Sequence, residues 1–262
     1  MNLNLTNKNA IVCGSTQGLG FASAIELALL GANVTLVARN EEKLKEVVTK
    51  LDVSKDQKHN YFIADFQFPD EVKSAVEKHV AEHPVVNILV NNTGGPKGGT
   101  ALDAATEEYL QAFNSHLMCN QILVQAVVPS MKTAGYGRII NIISTSVKQP
   151  IPGLGVSNTI RGAVASWSKT LASELGQFGI TVNNVLPGYT KTSRLDSLMQ
   201  SKVVATGQSL DEIEKGFISD IPAKRIGTPE EFGAAVAFLC SPAAAYINGI
   251  NLPVDGGRLS TL

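Results

Sequence analysis

Aromatic residues are scarce in this chain, at 6% of 262 positions, and neither sign of charge is in excess, the formal net charge being −1. Without a basic surplus there is no global field to draw nucleic acid. No apolar run approaches the roughly 20 residues that a membrane-crossing helix needs, so no membrane partner is expected. The first strand pattern begins near residue 8, which leaves no room ahead of it for a secretory leader. Only three cysteines are present, none with metal-ligand spacing, so neither a disulfide framework nor a metal site is expected. Two of them, Cys13 and Cys119, fall inside apolar segments and read as core filler. Together these absences point to a cytoplasmic protein with reduced thiols.

Glycine, alanine and aliphatic residues are plentiful instead. The stretch Ala10-Ile11-Val12-Cys13-Gly14-Ser15-Thr16-Gln17-Gly18-Leu19-Gly20 runs from a buried-strand pattern into a glycine-rich turn. Ala24, Ile25, Ala28 and Leu29 then recur at helical spacing. Such a turn presents unpaired N–H groups at the positive end of the helix dipole, a geometry that binds phosphate. The spacing G-x-x-x-G-x-G departs from the more familiar G-x-G-x-x-G, and by itself it also fits an ordinary strand-to-helix turn.

The alternation continues along the chain. Strands are predicted at 34–38, 61–64, 86–90, 138–143, 180–186 and 250–254. Helices are predicted at about 41–51, 69–82, 106–131, 156–178 and from Thr228-Pro229-Glu230-Glu231, a capping box with proline at the first helical position, to about 239. Continuous apolar strands alternating with helices imply a parallel sheet covered on both faces. No linker composition divides the chain. The expectation is one α/β, doubly wound domain spanning residues 1–262, with about seven parallel strands. The less periodic segment 189–224 is too long for a plain connection and reads as a lid over a site.

This ordered set of signals resembles the short-chain dehydrogenase/reductase family along essentially the whole chain. The resemblance rests on Gly14-x-x-x-Gly18-x-Gly20, Asp65, Asn91-Asn92-Thr93-Gly94, the run from Gly137 to Ser144, Pro187-Gly188 and Val254-Asp255-Gly256-Gly257. It implies a Rossmann-type fold with a nicotinamide dinucleotide across the C-terminal edge of the sheet. Gly14, Ser15, Gly18, Leu19 and Gly20 would then hold the pyrophosphate and adjoining ribose. Asp65 would accept from the adenine amine with Phe66 alongside; capping of the following helix is its other reading. Asn92, Thr93 and Gly94 would line the riboses, and Pro187, Gly188, Thr190 and Thr192 would border the carboxamide.

The end of the second strand bears on which dinucleotide. A carboxylate there would bond a ribose 2′-hydroxyl and repel a 2′-phosphate. The chain reads Ala38-Arg39-Asn40 instead. A guanidinium pairs strongly with phosphate oxygens, which favours NADP over NAD; a solvated arginine at a strand end is the alternative.

In the resembled family a serine, an asparagine and a Tyr-x-x-x-Lys pair carry the chemistry. Ser144 matches the serine. The tyrosine position holds Ser157 and the lysine position Arg161, so the segment reads Ser157-Asn158-Thr159-Ile160-Arg161. The asparagine position holds His116, or Asn114 if the register slips by two. The i,i+4 pair still shares one helical face. An aliphatic hydroxyl is far harder to ionise than a phenol, and arginine cannot shuttle a proton. Three readings follow. One is a hydride-transferring oxidoreductase in which His116 replaces the acid, Arg161 keeps the ribose contact, and Ser144 and Ser157 bond the substrate carbonyl or relay a proton. Tyr189 is a second candidate acid, with a lid aromatic as its alternative. Another reading is a dinucleotide-binding regulatory or scaffold subunit without turnover. A third is non-redox chemistry in the same site.

The helices near 106–131 and 156–178 are apolar on more than one face and need cover beyond the sheet. The resemblance supplies it as a second subunit, in a homo-oligomer, tetramer or dimer. The apolar side chains of the segment 189–224 point to a small organic carbonyl or alcohol as substrate.

Overall fold

The computed structural model describes residues 1–261. Seven strands, β1 (Asn9–Cys13), β2 (Asn33–Ala38), β3 (Asn60–Ile63), β4 (Ile88–Asn91), β5 (Gly137–Ile142), β6 (Ile180–Pro187) and β7 (Asn251–Val254), form one sheet. Its order is β3-β2-β1-β4-β5-β6-β7 and every neighbouring pair is parallel. The order reverses between β1 and β4, the switch point at which open parallel sheets bind ligands.

The strands are apolar at consecutive positions because both faces are buried. Ala10, Val12, Ile88 and Val90 join one core cluster, packed under α1 (Gly18–Leu29), α2 (Glu41–Val48) and α9 (Pro229–Cys240). The alternate residues Ile11, Cys13, Val37 and Leu89 join a second, under α3 (Pro69–Glu82), α5 (Cys119–Ala134) and α6 (Gly155–Leu175). All three cysteines are buried and unpaired. Burial pushes the Cys119 thiol up to about 12 and raises that of Cys13, so neither is a nucleophile near neutral pH. Among the described residues no helix is long and apolar enough to cross a membrane.

Two predicted segments differ in the structure. The helix expected at 106–131 is divided into α4 (Thr106–Phe113), a π-helical turn at Asn114–Met118 and α5. The extra residue of a π-turn shifts the helical face, and apolar spacing alone does not reveal it. The segment at 189–224, read as weakly periodic, contains α7 (Ser193–Thr206) and α8 (Leu210–Ser219). Their caps are local and strong: Thr192 accepts from the Leu195 N–H, and Ser209 and Glu212 form a reciprocal capping box. α7 is largely polar, with only Leu195 and Met199 buried, which left little period to read. The capping box expected at Thr228 and Glu231 is present.

Candidate active site at the C-terminal edge of the sheet

The glycine-rich turn leaves β1 at the switch point. Gly14 and Gly18 sit at φ +56 and +57, backbone that side chains rarely adopt. A Cβ on Gly14 would lie 2.7 Å from the Asn92 carbonyl oxygen, and one on Gly20 would lie 2.3 Å from the Gly14 carbonyl oxygen. The turn is therefore closed to any larger residue and presents backbone to the cleft. No side chain caps the N-terminus of α1, and its first turn carries no acid. The cradle thus fits a diphosphate on chemistry as well as shape. Leu19 packs partly buried against the core, and its carbonyl accepts from the Ser23 hydroxyl.

Ser15 behaves differently from the sequence expectation. It is fully buried, and its Oγ accepts from the Val37 N–H at 3.0 Å. It ties the turn to β2 and presents no atom to a ligand. Asn92 likewise positions the turn: its Nδ2 donates to the carbonyls of Cys13 and Gly14 at 3.2 and 3.1 Å. Thr93 is half-buried and Gly94 exposed on the loop that follows.

Arg39 directly follows β2, is exposed, and has neither ion pair nor hydrogen bond among the described residues. Asn40 beside it is occupied in capping α2. Asp65 follows β3 closely; one of its carboxylate oxygens accepts from the Gln67 N–H at 2.9 Å, while Phe68 takes the N-cap position of α3. The helix-capping alternative for Asp65 is thus replaced by a local turn that leaves its second oxygen unused. Phe66 is buried in the core, and its carbonyl accepts from the Cys119 thiol. Its side chain packs in the second core cluster.

Pro187 and Gly188 end β6 half-buried, and the Gly188 N–H donates to the Val254 carbonyl. A Cβ on Gly188 would meet Asp255 at 2.5 Å, which explains why glycine stands there. Thr190 is buried, and its carbonyl accepts from the Thr192 hydroxyl at 3.3 Å. Thr192 also lies against the glycine turn, its Cγ2 3.6 Å from where a Gly18 Cβ would be. The base of the 189–224 segment thereby reaches the phosphate cradle.

Of the four residues expected to carry the chemistry, Ser144 lies just past the end of β5, Ser157 and Arg161 lie on α6, and His116 lies in the π-turn. Ser144 closes β5, and its Oγ accepts from the Ser146 N–H at 3.0 Å, so its own hydrogen remains available to donate. Arg161, buried on α6, donates from Nη1 to the Ile142 carbonyl at 3.1 Å. Ser157 lies one helical turn before it, half-buried. His116 sits in the π-turn and is 2% exposed, whereas Asn114 is exposed. Its Nδ1 is buried without a protein partner.

Burial, helped by the nearby Arg161 charge, drives His116 down to about 2. It is therefore a neutral imidazole near pH 7, not the titrating acid expected from its ordinary pKa. Burial and the Arg194 charge likewise lower Arg161 to about 10, which leaves it protonated. Tyr189 is separated from this set. Its ring stacks on Phe217 at 4.3 Å and 8°, with the Arg258 guanidinium over it at 4.3 Å. Its ring is held within the 189–224 segment.

Two features were not read from the sequence. Asn91, Asn141, Asn184 and Asn251 stand in register on β4 to β7 and pass side-chain hydrogen bonds of 2.8, 3.0 and 2.8 Å along the row. Ser168 of α6 also accepts from Asn141. This ladder fixes the strand ends beneath the helix that carries Ser157 and Arg161. The other feature is Arg194 in the first turn of α7. Its Nη2 donates to the Pro96 carbonyl at 3.1 Å, linking that segment to the loop after β4. The only hint in the sequence is a cation two residues after Thr192.

Comparison with known proteins agrees with this architecture. A family model described as enoyl-(acyl carrier protein) reductase matches residues 14–258. The 3-oxoacyl-[acyl-carrier-protein] reductase FabG of Chlamydia muridarum is 32% identical over 257 residues, 98% of this chain and 99% of that one. Dehydrogenase/reductase SDR family member 4 of Bos taurus is 33% identical over 264 residues, covering 98% of this chain and 89% of its own. Among solved structures, L-sorbose reductase from Gluconobacter frateurii, complexed with NADPH and L-sorbose, superposes with a TM-score of 0.93 at 31% identity over 100% of both chains. YwfH, an NADPH-dependent reductase involved in bacilysin biosynthesis, gives 0.92 at 25% identity, covering 98% of this chain and 100% of its own. The chain belongs to the short-chain dehydrogenase/reductase family.

Proposed function

We propose that the protein is an oxidoreductase that uses NADP(H) to interconvert an organic carbonyl and its alcohol, with a rearranged set of polar groups. The observation that carries this reading is the side-chain-free cradle of Gly14, Gly18 and Gly20 beside the unpaired Arg39. The L-sorbose reductase complex with NADPH, similar along its whole length, supports it. NAD is the alternative cofactor and would leave Arg39 without a role. In this reading the turn holds the diphosphate and Arg39 the 2′-phosphate. Asp65 takes the adenine amine, and Thr93 and Gly94 line the riboses. Pro187, Gly188, Thr190 and Thr192 border the carboxamide. Ser15, Asn92 and Phe66 shape the site without touching the cofactor through their side chains. Bound NADP(H) supplies or accepts the hydride.

The chain's own groups handle the oxygen. Ser144 donates its hydroxyl hydrogen to the substrate carbonyl, since its lone pair is already engaged by the Ser146 N–H. Arg161 holds a ribose hydroxyl and places a buried positive charge where an oxyanion develops. That stabilisation is strong in a low-dielectric site. An alkoxide formed beside Ser144 is basic enough to draw a proton from a weak donor. His116, neutral, relays protons by receiving at one ring nitrogen and releasing at the other, with Ser157 completing the path to water. The segment 189–224 is the lid of this single domain.

A regulatory subunit without turnover has no need to bury His116 and Arg161, and burying polar groups costs free energy. Exposed Leu110, Phe113 and Met118 beside α5 form the face on which a second copy packs, as dimer or tetramer. The three unpaired thiols accord with a cytoplasmic setting. The test is NADPH consumption over a panel of ketones and aldehydes. Both Ser144→Ala and His116→Ala are expected to abolish it; loss in Ser144→Ala with an unchanged rate in His116→Ala would remove the relay.

A further inference from the structure

We infer that the substrate is an anion, a carbonyl compound bearing a carboxylate, and that Arg194 is a specificity-determining residue that holds this group together with Arg161. The inference rests on the NADP(H)-dependent reading above and names its substrate class.

Arg161 lacks a counter-charge among the described residues: it is buried, yet none of their ion pairs includes it. Its one protein hydrogen bond goes to a neutral carbonyl, that of Ile142. A buried guanidinium without an anion is expensive, and such charges are retained where something pairs with them. In a Tyr-Lys pair the phenolate can play that part. Ser157 cannot, because an aliphatic hydroxyl does not ionise near neutrality. The neighbouring His116 is neutral, and the charge felt most at Arg161 is the positive charge of Arg194. Neither guanidinium has an ion pair among the described residues, and the two reach adjacent strand ends: Ile142 ends β5, and Pro96 lies on the loop after its neighbour β4.

Arg194 adds geometry to this. It starts on the other wall, in the first turn of α7, and reaches the loop after β4. There Nη2 donates to Pro96 and lies 3.6 Å from where a Gly95 side chain would begin. The remaining nitrogens, Nη1 and Nε, have no partner among the described residues, and no carboxylate pairs with the residue. A free edge of a guanidinium is the donor pair that a carboxylate accepts. One carboxylate between Arg161 and Arg194 would neutralise both walls and hold the α7 segment closed.

The other anion within reach is the cofactor's own diphosphate, since Thr192 touches the glycine turn. Calorimetry separates the two sources. NADP+ is first titrated into wild type and Arg194→Met. Pyruvate, levulinate and benzoylformate, each beside its methyl ester, are then titrated into the NADP+-saturated proteins. The expected result is that at least one acid binds about tenfold more tightly than its ester, as loss of a charge-assisted hydrogen bond would give. Arg194→Met should erase that preference while NADP+ affinity stays within about twofold. Absence of acid preference in all three pairs, or of any binding, overturns the proposal. So does a variant that loses NADP+ affinity but keeps the acid preference, because Arg194 then serves the diphosphate. Failure of wild type to take up NADP+ is seen in the first titration and overturns the cofactor reading together with the proposal.

Discussion

The side chain of Asn92 and the carbonyl of Gly14 meet across the switch point of the sheet, Nδ2 donating over 3.1 Å. One asparagine after β4 thereby holds the turn after β1 open for a ligand. Asn92→Ala leaves the Cys13 and Gly14 carbonyls without this donor, at a cost of about 1–3 kcal/mol. NADPH affinity should fall together with the thermal midpoint. Gly20→Ala drives a methyl into the Gly14 carbonyl, and NADPH binding should be lost outright. Calorimetry and thermal denaturation check both; wild-type affinity in Gly20→Ala would contradict the cradle.

Restoring the family's usual pair tests the altered site. Ser157 is half-buried, so Ser157→Tyr with Arg161→Lys should keep a cooperative melt and raise reduction of simple ketones at least about tenfold, a typical yield of a general acid at the low end. A molten circular-dichroism spectrum would show that the native residues are structural.

Acid lability should report the buried histidines. Burial lowers His116 from 6.5 to about 2 and His79 to about 4. Below about pH 6.5 the unfolded chain protonates both, while the fold keeps them neutral. The unfolded state then binds more protons, so stability falls as pH falls, by about 1.4 kcal/mol per pH unit for each histidine. The His79 share ends near pH 4, and that of His116 continues towards 2. Urea titrations should show a shallower slope for His79→Gln between pH 6 and about 4 than for wild type. For the same reason the turnover rate should show no limb near the ordinary histidine pKa.

The segment 189–224 is held by a ring stack. Tyr189 lies parallel to Phe217 of α8, with Arg258 over the Tyr189 ring and Lys202 over the Phe217 ring. Such aromatic pairs contribute about 0.5–1.5 kcal/mol beyond burial. Phe217→Ala should expose residues 193–219 to limited proteolysis and raise KM without loss of the sheet. Protection equal to wild type would mean that other contacts hold the lid.

The sheet was legible because its signals are local. The strands are rich in apolar residues and bounded by turn signals, and capping at Thr228 is written within four residues. The parallel, doubly wound character of the sheet followed from the strand–helix alternation and the glycine turn from its spacing, whereas Ser144, Ser157 and Arg161 were singled out by the family resemblance. What spacing could not show is environment. The ordinary pKa of His116 disappears only when a π-turn buries the ring beside Arg161. Ser15 looked like a ligand contact, yet it is fully buried with its Oγ accepting from the Val37 N–H of β2. The asparagine ladder joins residues up to 67 positions apart between neighbouring strands, and Arg194 meets Pro96 across 98 positions, so neither leaves a local pattern.

The proposed function requires a phosphorylated dinucleotide resting in the cradle with Arg39 on its 2′-phosphate. Isothermal titration of NADPH and NADH into wild type and Arg39→Ala measures this directly. The expected result is NADPH bound at least about tenfold more tightly than NADH, with the difference abolished in the variant, as loss of a guanidinium–phosphate pair predicts. Equal affinities in wild type would contradict the role of Arg39, and no uptake of either nucleotide would contradict the function itself.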